Sequence, residues 1–118
     1  MEEKKMCCMF KCETAEEANK KALNNLVVVE EYGSKCNGHS LHTSDSGERW
    51  LARCKECGAY VLVQYSEVWY QDKEYYDYYP VESIEHAREL NKKYDGYSIE
   101  FVYQSKKLFI TNGKAMFK

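Results

Sequence analysis

Two pairs of cysteine and histidine residues, separated by 14 residues, constrain the fold of this chain more than any other feature. Cys36-Asn37-Gly38-His39 supplies the first pair, and Cys54-Lys55-Glu56-Cys57 supplies the second. Zinc prefers thiolate and imidazole ligands, and two such pairs can close a tetrahedron around one ion. We therefore predict one zinc site per chain, formed by Cys36, His39, Cys54 and Cys57.

The ligand set leaves two alternatives open. His42 could replace His39, because a histidine separated from Cys36 by five residues can also reach the ion. Cys12 could enter the site in place of a histidine, although it lies far upstream. The spacing that is commonest in zinc sites favours His39.

A site with four protein ligands predicts a structural ion, because no position is left for water or substrate. The sequence also lacks the His-x-Glu and Pro-Cys elements of zinc deaminases. It has no His-Glu-x-x-His motif, phosphate-binding glycine loop or Gly-x-Ser-x-Gly motif. We therefore predict no catalytic residue and a chain that is not an enzyme.

The segment from Lys35 to Val63 resembles a zinc ribbon with two rubredoxin-type knuckles. The resemblance rests on the two ligand pairs, on Trp50 between them, and on Gly58 directly after Cys57. Zinc ribbons usually carry four cysteines, and His39 departs from that pattern. Similar modules occur in small proteins of bacteria and their phages, so the resemblance implies a small protein of that kind.

Length and composition predict one soluble domain over residues 1–118, with the zinc-ribbon element at about 35–63. The chain is 44% hydrophobic and 31% charged, which is ordinary for a globular protein. No apolar run approaches the ~20 residues of a membrane helix, and the first residues lack the apolar core of a signal peptide. We expect a cytoplasmic location (the host cytoplasm if a phage encodes the chain) and no membrane partner. The remaining cysteines, Cys7, Cys8 and Cys12, are then expected to be buried thiols rather than disulfides.

Two segments carry the start signals and periodicity of helices. Thr14 is predicted to cap the first helix, with Glu17 completing a capping box. Its apolar face is formed by Ala15, Ala18 and Ala22. Ser83 is predicted to cap a second helix that runs to about Tyr94, with an apolar face of Ile84, Ala87, Leu90 and Tyr94.

The rest of the chain reads as six to eight strands. The Asn112-Gly113 pair is the strongest hairpin signal, and it predicts that Ala115–Phe117 pairs back on Lys107–Thr111. Leu26–Val29 is β-branched and is predicted to be a buried strand. The other predicted strands are Met6–Cys12, Trp50–Arg53, Ala59–Tyr70, Tyr75–Val81 with Pro80 at its end or on an edge, and Tyr97–Gln104. The fold class is therefore α+β: a mostly antiparallel sheet with two helices and an embedded zinc ribbon.

Tyrosines and acids are concentrated after the second ligand pair. Seven of the eleven tyrosines lie between Tyr60 and Tyr79, and seven acids lie between Glu67 and Glu89. Tyrosine and tryptophan supply much of the contact area of protein interfaces. The predicted partner-binding surface consists of Trp69, Tyr70, Asp72, Glu74, Tyr75, Tyr76, Asp77 and Tyr78.

These patterns predict a non-enzymatic, zinc-stabilised interaction protein that binds a protein partner through this surface. A narrower hypothesis is a phage-encoded inhibitor of a nucleic-acid-binding host defence protein, comparable to an anti-CRISPR protein. A third is a nucleic-acid-binding zinc ribbon that uses Lys35, Arg49, Arg53 and Lys55 with the lysine-rich tail that ends at Lys118. The acids and the net charge of −2 disfavour contact with phosphates.

Overall fold

The computed structural model describes residues 6–34, 46–68, 73–93, 99, 103 and 105–118. Six strands form one antiparallel sheet in which spatial order follows chain order. They are β1 (Leu26–Ser34), β2 (Ser46–Cys54), β3 (Tyr60–Val68), β4 (Lys73–Val81), β5 (Leu108–Thr111) and β6 (Lys114–Phe117). The helices are α1 (Ala15–Asn25) and α2 (Ile84–Lys93), preceded by a short 3-10 helix at Cys8–Lys11. This architecture confirms the prediction of an α+β fold with an antiparallel sheet and two helices.

Both helices begin where the sequence predicts. The Glu17 backbone N–H donates to the Thr14 hydroxyl at 3.2 Å, and the His86 N–H donates to the Ser83 hydroxyl at 3.0 Å. Each bond satisfies one of the backbone donors that the first turn of a helix leaves without a partner. The predicted alanine face of α1 is buried, as are Ala87 and Leu90 of α2.

The first predicted strand, Met6–Cys12, is wrong. This segment forms a 3-10 turn in which the Phe10 N–H donates to the Cys7 carbonyl at 3.0 Å. Met9 and Phe10 are both 1% exposed. A short apolar run indicates burial but does not distinguish a strand from a helical turn, and this segment packs on a face of the sheet instead of joining it.

The two faces of the sheet carry separate cores. On one face, α1 and the 3-10 helix pack against residues that include Ala52, Val61, Val63, Leu108 and Ile110. On the other face, α2 packs against Leu51, Leu62, Tyr79 and Val81, with Ile99. Alternation along β2 and β3 places neighbouring residues on opposite faces. We call these the α1 face and the α2 face.

Leu26–Val29 lies in a strand as predicted, but the expectation that this strand is buried is wrong. Val27, Val28 and Val29 are 48%, 52% and 45% exposed. Among the described residues, β1 pairs with β2 alone and so forms an edge of the sheet, and its register shifts between Val28 and Glu30. A β-branched run indicates a strand without distinguishing an edge from the centre of the sheet.

The predicted C-terminal hairpin is confirmed. β5 and β6 are joined by Asn112 at φ +48° and Gly113 at φ +83°. Two successive residues with positive φ match the twist of the flanking strands. Pro80 lies near the end of β4, beyond Tyr78, the last β4 residue that pairs with β5, so its missing N–H interrupts no hydrogen bond with β5.

Ile99 and Tyr103 are the described residues of the predicted strand Tyr97–Gln104. Neither lies in a strand, and the Tyr103 N–H donates to the Ile99 carbonyl at 2.8 Å. In the part of the chain that the structure describes, no helix is long and apolar enough to cross a membrane.

Candidate metal centre

Four cysteines, two from the N-terminal segment and two from the middle of the chain, meet at one edge of the α1 face. The ligand atoms of Cys7, Cys8, Cys54 and Cys57 all lie within 4.8 Å of one another. The sulfur atoms of Cys8 and Cys54 are 3.8 Å apart, and those of Cys57 and Cys7 are 3.6 Å apart. A tetrahedron of sulfur atoms around a zinc ion at about 2.3 Å has edges of about 3.8 Å. The cluster could therefore hold a metal ion with four thiolate ligands.

The turn between β2 and β3 positions Cys54 and Cys57. Cys54 ends β2, and the chain then reverses so that the Cys54 N–H donates to the Ala59 carbonyl at 2.9 Å. The Gly58 N–H donates to the Cys54 carbonyl at 2.8 Å, with Gly58 at φ +78°. Glycine adopts this left-handed conformation without the steric cost that other residues incur. The Cys-x-x-Cys-Gly pattern thus brings both thiols to one side of the turn.

The N-terminal segment supplies the other two thiols. Burial of Met9 and Phe10 fixes the 3-10 helix against the sheet, and Cys7 and Cys8 stand at its start. The Cys8 backbone N–H lies 3.4 Å from the Cys57 sulfur, to which it donates. An N–H that points at a sulfur atom stabilises the thiolate form. The N-terminal segment therefore contributes two of the four thiols and a backbone donor that favours the thiolate form of Cys57.

Two polar residues of α1 bind the β2–β3 turn beside the cysteine cluster. Lys21 forms an ion pair with Glu56 at 2.8 Å, and its ammonium lies 3.9 Å from the Cys8 sulfur. The Asn25 side-chain amide donates to the Glu56 carboxylate at 3.1 Å. The Asn25 backbone carbonyl accepts a hydrogen bond from the Lys55 backbone N–H at 2.8 Å. The hydrogen bond between Lys21 and Glu56 raises the pKa of the lysine and lowers the pKa of the carboxyl. Lys21 places a positive charge where four thiolates would accumulate negative charge.

Cys7, Cys8 and Cys57 differ in how readily they ionise. Burial raises the pKa of Cys7, and burial together with hydrogen bonds to Cys54 and Cys57 raises the pKa of Cys8 to about 12. Burial also opposes ionisation of Cys57, but hydrogen bonds from the Cys8 and Ala59 backbone and from neighbouring thiols outweigh it and lower its pKa to about 7. Of these three thiols, Cys57 is therefore the one that ionises most readily.

Half of the ligand set predicted from the sequence lies in this cluster. Cys54 and Cys57 are members, whereas Cys36, His39 and the alternative His42 lie outside the described residues. Cys12 lies beside the cluster without joining it, with its thiol 3.8 Å from the Cys8 carbonyl oxygen. Sequence reasoning missed Cys7 and Cys8 as ligand candidates. The signal available was two adjacent cysteines in a chain that already contained a Cys-x-x-Cys-Gly turn.

The predicted partner surface divides into three groups. Trp69, Tyr70 and Asp72 lie outside the described residues. Glu74 is exposed, and Tyr75 and Tyr76 are half-buried. Asp77 is fully buried and Tyr78 is 6% exposed, so the side chains of these two residues belong to the interior of the protein.

Gly58 offers a specific test of the turn that positions Cys54 and Cys57. We expect Gly58→Ala to lower the free energy of unfolding by about 1–2 kcal/mol, because alanine is strained at positive φ, and to weaken metal binding. Gly113→Ala is the matched control, since Gly113 has nearly the same φ in the β5–β6 turn. Competition with a chelating dye measures affinity. Equal weakening of metal binding in both variants would contradict the role assigned to Gly58.

Comparisons of the chain with protein-family models, with curated proteins and with solved structures found no match. The function is therefore argued from the site and from the surfaces of the fold.

Proposed function

We propose that this chain is a non-enzymatic binding protein stabilised by one structural zinc ion. Cys7, Cys8, Cys54 and Cys57 hold the ion, and a surface rich in tyrosine and acid contacts a protein partner. The observation that carries the proposal is the group of four thiols within 4.8 Å of one another, in which two sulfur separations, 3.8 and 3.6 Å, are close to the edge of a zinc tetrahedron.

The donor set and its surroundings support a structural ion. Four sulfur donors in a tetrahedral arrangement are typical of zinc or of iron–sulfur centres. Cys7 and Cys54 are 1% and 2% exposed, and a fourth protein ligand fills the position that a catalytic ion leaves open. The ion would link the 3-10 helix to the β2–β3 turn and so fasten the N-terminal segment to the sheet.

Metal analysis of cysteine variants tests the ligand set. We expect about one zinc per chain in the natural protein and in Cys12→Ser, whose cysteine lies just outside the cluster. Cys7→Ser/Cys8→Ser and Cys54→Ser/Cys57→Ser should both lose the ion. If elemental analysis finds iron and the protein absorbs visible light, the site holds an iron centre and not zinc.

The same experiment separates this ligand set from the zinc ribbon that the sequence predicts. In a ribbon, Cys36→Ser/His39→Ala loses the metal and Cys7→Ser/Cys8→Ser keeps it. We expect the reverse. Retention of stoichiometric zinc in Cys7→Ser/Cys8→Ser would overturn the assignment and favour the ribbon.

Zinc binding should release protons near neutral pH. The raised pKa values of Cys7 and Cys8 keep these thiols protonated at pH 7, and a thiol must lose its proton to bind the ion. Apparent affinity should therefore rise with pH and fall on acidification. Calorimetric titration in buffers of different ionisation enthalpy counts the protons, and an enthalpy that does not depend on the buffer would contradict the proposal.

The burial of one predicted phosphate-binding residue counts against the nucleic-acid hypothesis, whereas Arg53 and Lys55 are exposed. Arg49, one of the residues of the nucleic-acid hypothesis, is 1% exposed and donates to Asn91 at 3.0 Å. It cannot contact a phosphate from that position. A narrower form of the proposal is that the chain is a phage-encoded inhibitor of a nucleic-acid-binding host protein. An acidic binding surface supports this form, because it complements a basic nucleic-acid-binding site.

A further inference from the structure

Aromatic and acidic side chains occupy one continuous region of the α1 face, beyond the part that α1 covers. Register places Glu31 beside Trp50, Glu48 beside Tyr65, and Tyr65 beside Tyr76. Residues directly paired across antiparallel strands project to the same face. We call this region the aromatic–acidic patch: Glu31, Glu48, Trp50, Tyr65, Glu67, Glu74 and Tyr76.

A groove of about 460 Å³ lies between this patch and α1. Trp50, Tyr76 and Ile110 form part of its apolar lining, and Glu74 stands in its wall. Leu23 of α1 forms the opposite wall and is 72% exposed. A large exposed leucine beside half-buried aromatic rings is characteristic of a surface that binds another molecule.

The patch is negatively charged, and the basic residues of the same strands occupy the other face. Lys73 pairs with Val68, and Arg49 and Arg53 of β2 pair with Gln64 and Tyr60, positions that alternate with those of the patch. Among the described strand residues, the patch positions include four glutamates and no lysine or arginine. The charge of the patch therefore complements a cationic ligand.

Two of these glutamates are direct partners across β3 and β4. Glu67 pairs with Glu74, an arrangement that like charges disfavour. The Tyr65 hydroxyl donates to Glu74 at 3.2 Å and to Glu67 at 3.4 Å. Burial and the bond to Glu74 raise the pKa of Tyr65 to about 12, as expected beside concentrated negative charge. A cation bound here would offset the repulsion.

We propose that the aromatic–acidic patch binds a segment of a partner protein that is rich in arginine or lysine and carries apolar side chains for the groove beside Leu23. This inference rests on the proposed function and names the chemistry of the partner. Carboxylates pair with the cationic groups, and the rings of Trp50 and Tyr76 offer faces for cation–π contact. Apolar side chains of the segment fill the groove between α1 and the sheet.

Fluorescence polarisation with synthetic peptides tests the proposal in the full-length, metal-loaded protein. The probe is a fluorescein-labelled peptide that alternates arginine and leucine, compared with peptides in which glutamate or serine replaces arginine. We expect Glu48→Gln/Glu74→Gln to weaken binding of the arginine peptide by about tenfold or more. Trp50→Leu should weaken it by about tenfold through loss of ring contact.

Glu85→Gln/Glu89→Gln is the matched control. Both residues are exposed on α2, which packs on the other face, and the substitutions change the net charge by the same amount. This variant should bind the probe as the natural protein does. In a Trp69→Phe background, emission from Trp50, then the only tryptophan, should shift when the arginine peptide binds.

Three outcomes would overturn the proposal. The first is that the control variant weakens binding of the arginine peptide as much as Glu48→Gln/Glu74→Gln does. The second is that the glutamate peptide binds as tightly as the arginine peptide, and the third is that Trp50 emission does not change when the arginine peptide binds. A fourth outcome would overturn the preference for a basic segment alone. In that case the serine peptide binds without salt dependence and shifts the Trp50 emission, which supports protein binding at this surface. Direct binding of a fluorescein-labelled single-stranded DNA that Trp50→Leu weakens would assign the patch to nucleic acid. Self-association of the chain in sedimentation that Trp50→Leu abolishes would assign it to a second copy of the chain.

Discussion

Removal of the metal should lower the unfolding temperature by about 10 °C or more and open the N-terminal segment first. Structural zinc contributes about 10–16 kcal/mol in zinc-finger peptides, which matches or exceeds the whole net stability of about 5–15 kcal/mol of a typical domain. A loss of a few kcal/mol already shifts the midpoint of a chain of this size by about 10 °C. Thermal unfolding before and after complete chelation measures the effect.

The N-terminal segment is expected to respond most because the ion would join it to the rest of the fold. Cys7 and Cys8 lie in that segment, whereas the β2–β3 turn that carries Cys54 and Cys57 is also held by backbone hydrogen bonds. Hydrogen exchange should therefore rise first in residues 6–25 and later in the central strands. Exchange that rises uniformly would contradict this order.

Two variants control the chelation experiment. Cys12→Ser should lose stability on chelation as the natural protein does, because Cys12 is not a member of the cluster. Cys54→Ser/Cys57→Ser should already be destabilised and should not change further. If the natural protein keeps its unfolding temperature after metal analysis shows complete removal, the ion is not structural.

The site could be predicted in part because half of it is local in sequence. Cys54 and Cys57 are close in the chain, and Gly58 supplies the positive φ that their turn requires, so spacing alone indicates two ligands. Cys7 and Cys8 reach the turn only through the packing of Met9 and Phe10 on the sheet. That contact joins residues far apart in the chain, and a pattern read along the sequence does not contain it.

The same distinction explains which parts of the fold were predicted. Thr14, Ser83 and the Asn112-Gly113 pair act on their immediate neighbours, so the helix starts and the last hairpin follow from the sequence. The prediction that β1 is buried was wrong, because the burial of a strand depends on how many neighbouring strands it has. In the part of the chain that the structure describes, β1 has β2 as its one neighbour, and its valines remain exposed.

Asp77 also shows why tertiary contacts decide the role of a residue. Its carboxylate forms an ion pair with Lys107 at 2.9 Å, and the two side chains are 0% and 8% exposed. The Lys107 ammonium also lies 3.4 Å from the Tyr79 hydroxyl and 5.3 Å from the centre of that ring. The acid that the sequence assigned to a partner surface is thus part of the interior, between β4 and the start of β5.

Replacement of Asp77 by alanine should lower the free energy of unfolding by about 3–5 kcal/mol, because it leaves the Lys107 ammonium buried without its carboxylate. Lys107→Met should cost a similar amount, since it strands the carboxylate instead. The double variant should cost less than the sum of the two, because neither charge is then left alone. Urea unfolding of the four proteins measures the coupling.

Arg88→Ala is the control for this cycle. Arg88 pairs with Glu30 at 2.6 Å, but its side chain is 60% exposed, so solvent screens the interaction and the variant should unfold close to the natural protein. Additive effects at Asp77 and Lys107, or a loss at Asp77 no larger than at Arg88, would show that the buried pair is not coupled. Coupling would show that the buried acid of β4, Asp77, stabilises the fold. Glu74 and Tyr76 would then be the residues of this segment that we propose contact a partner.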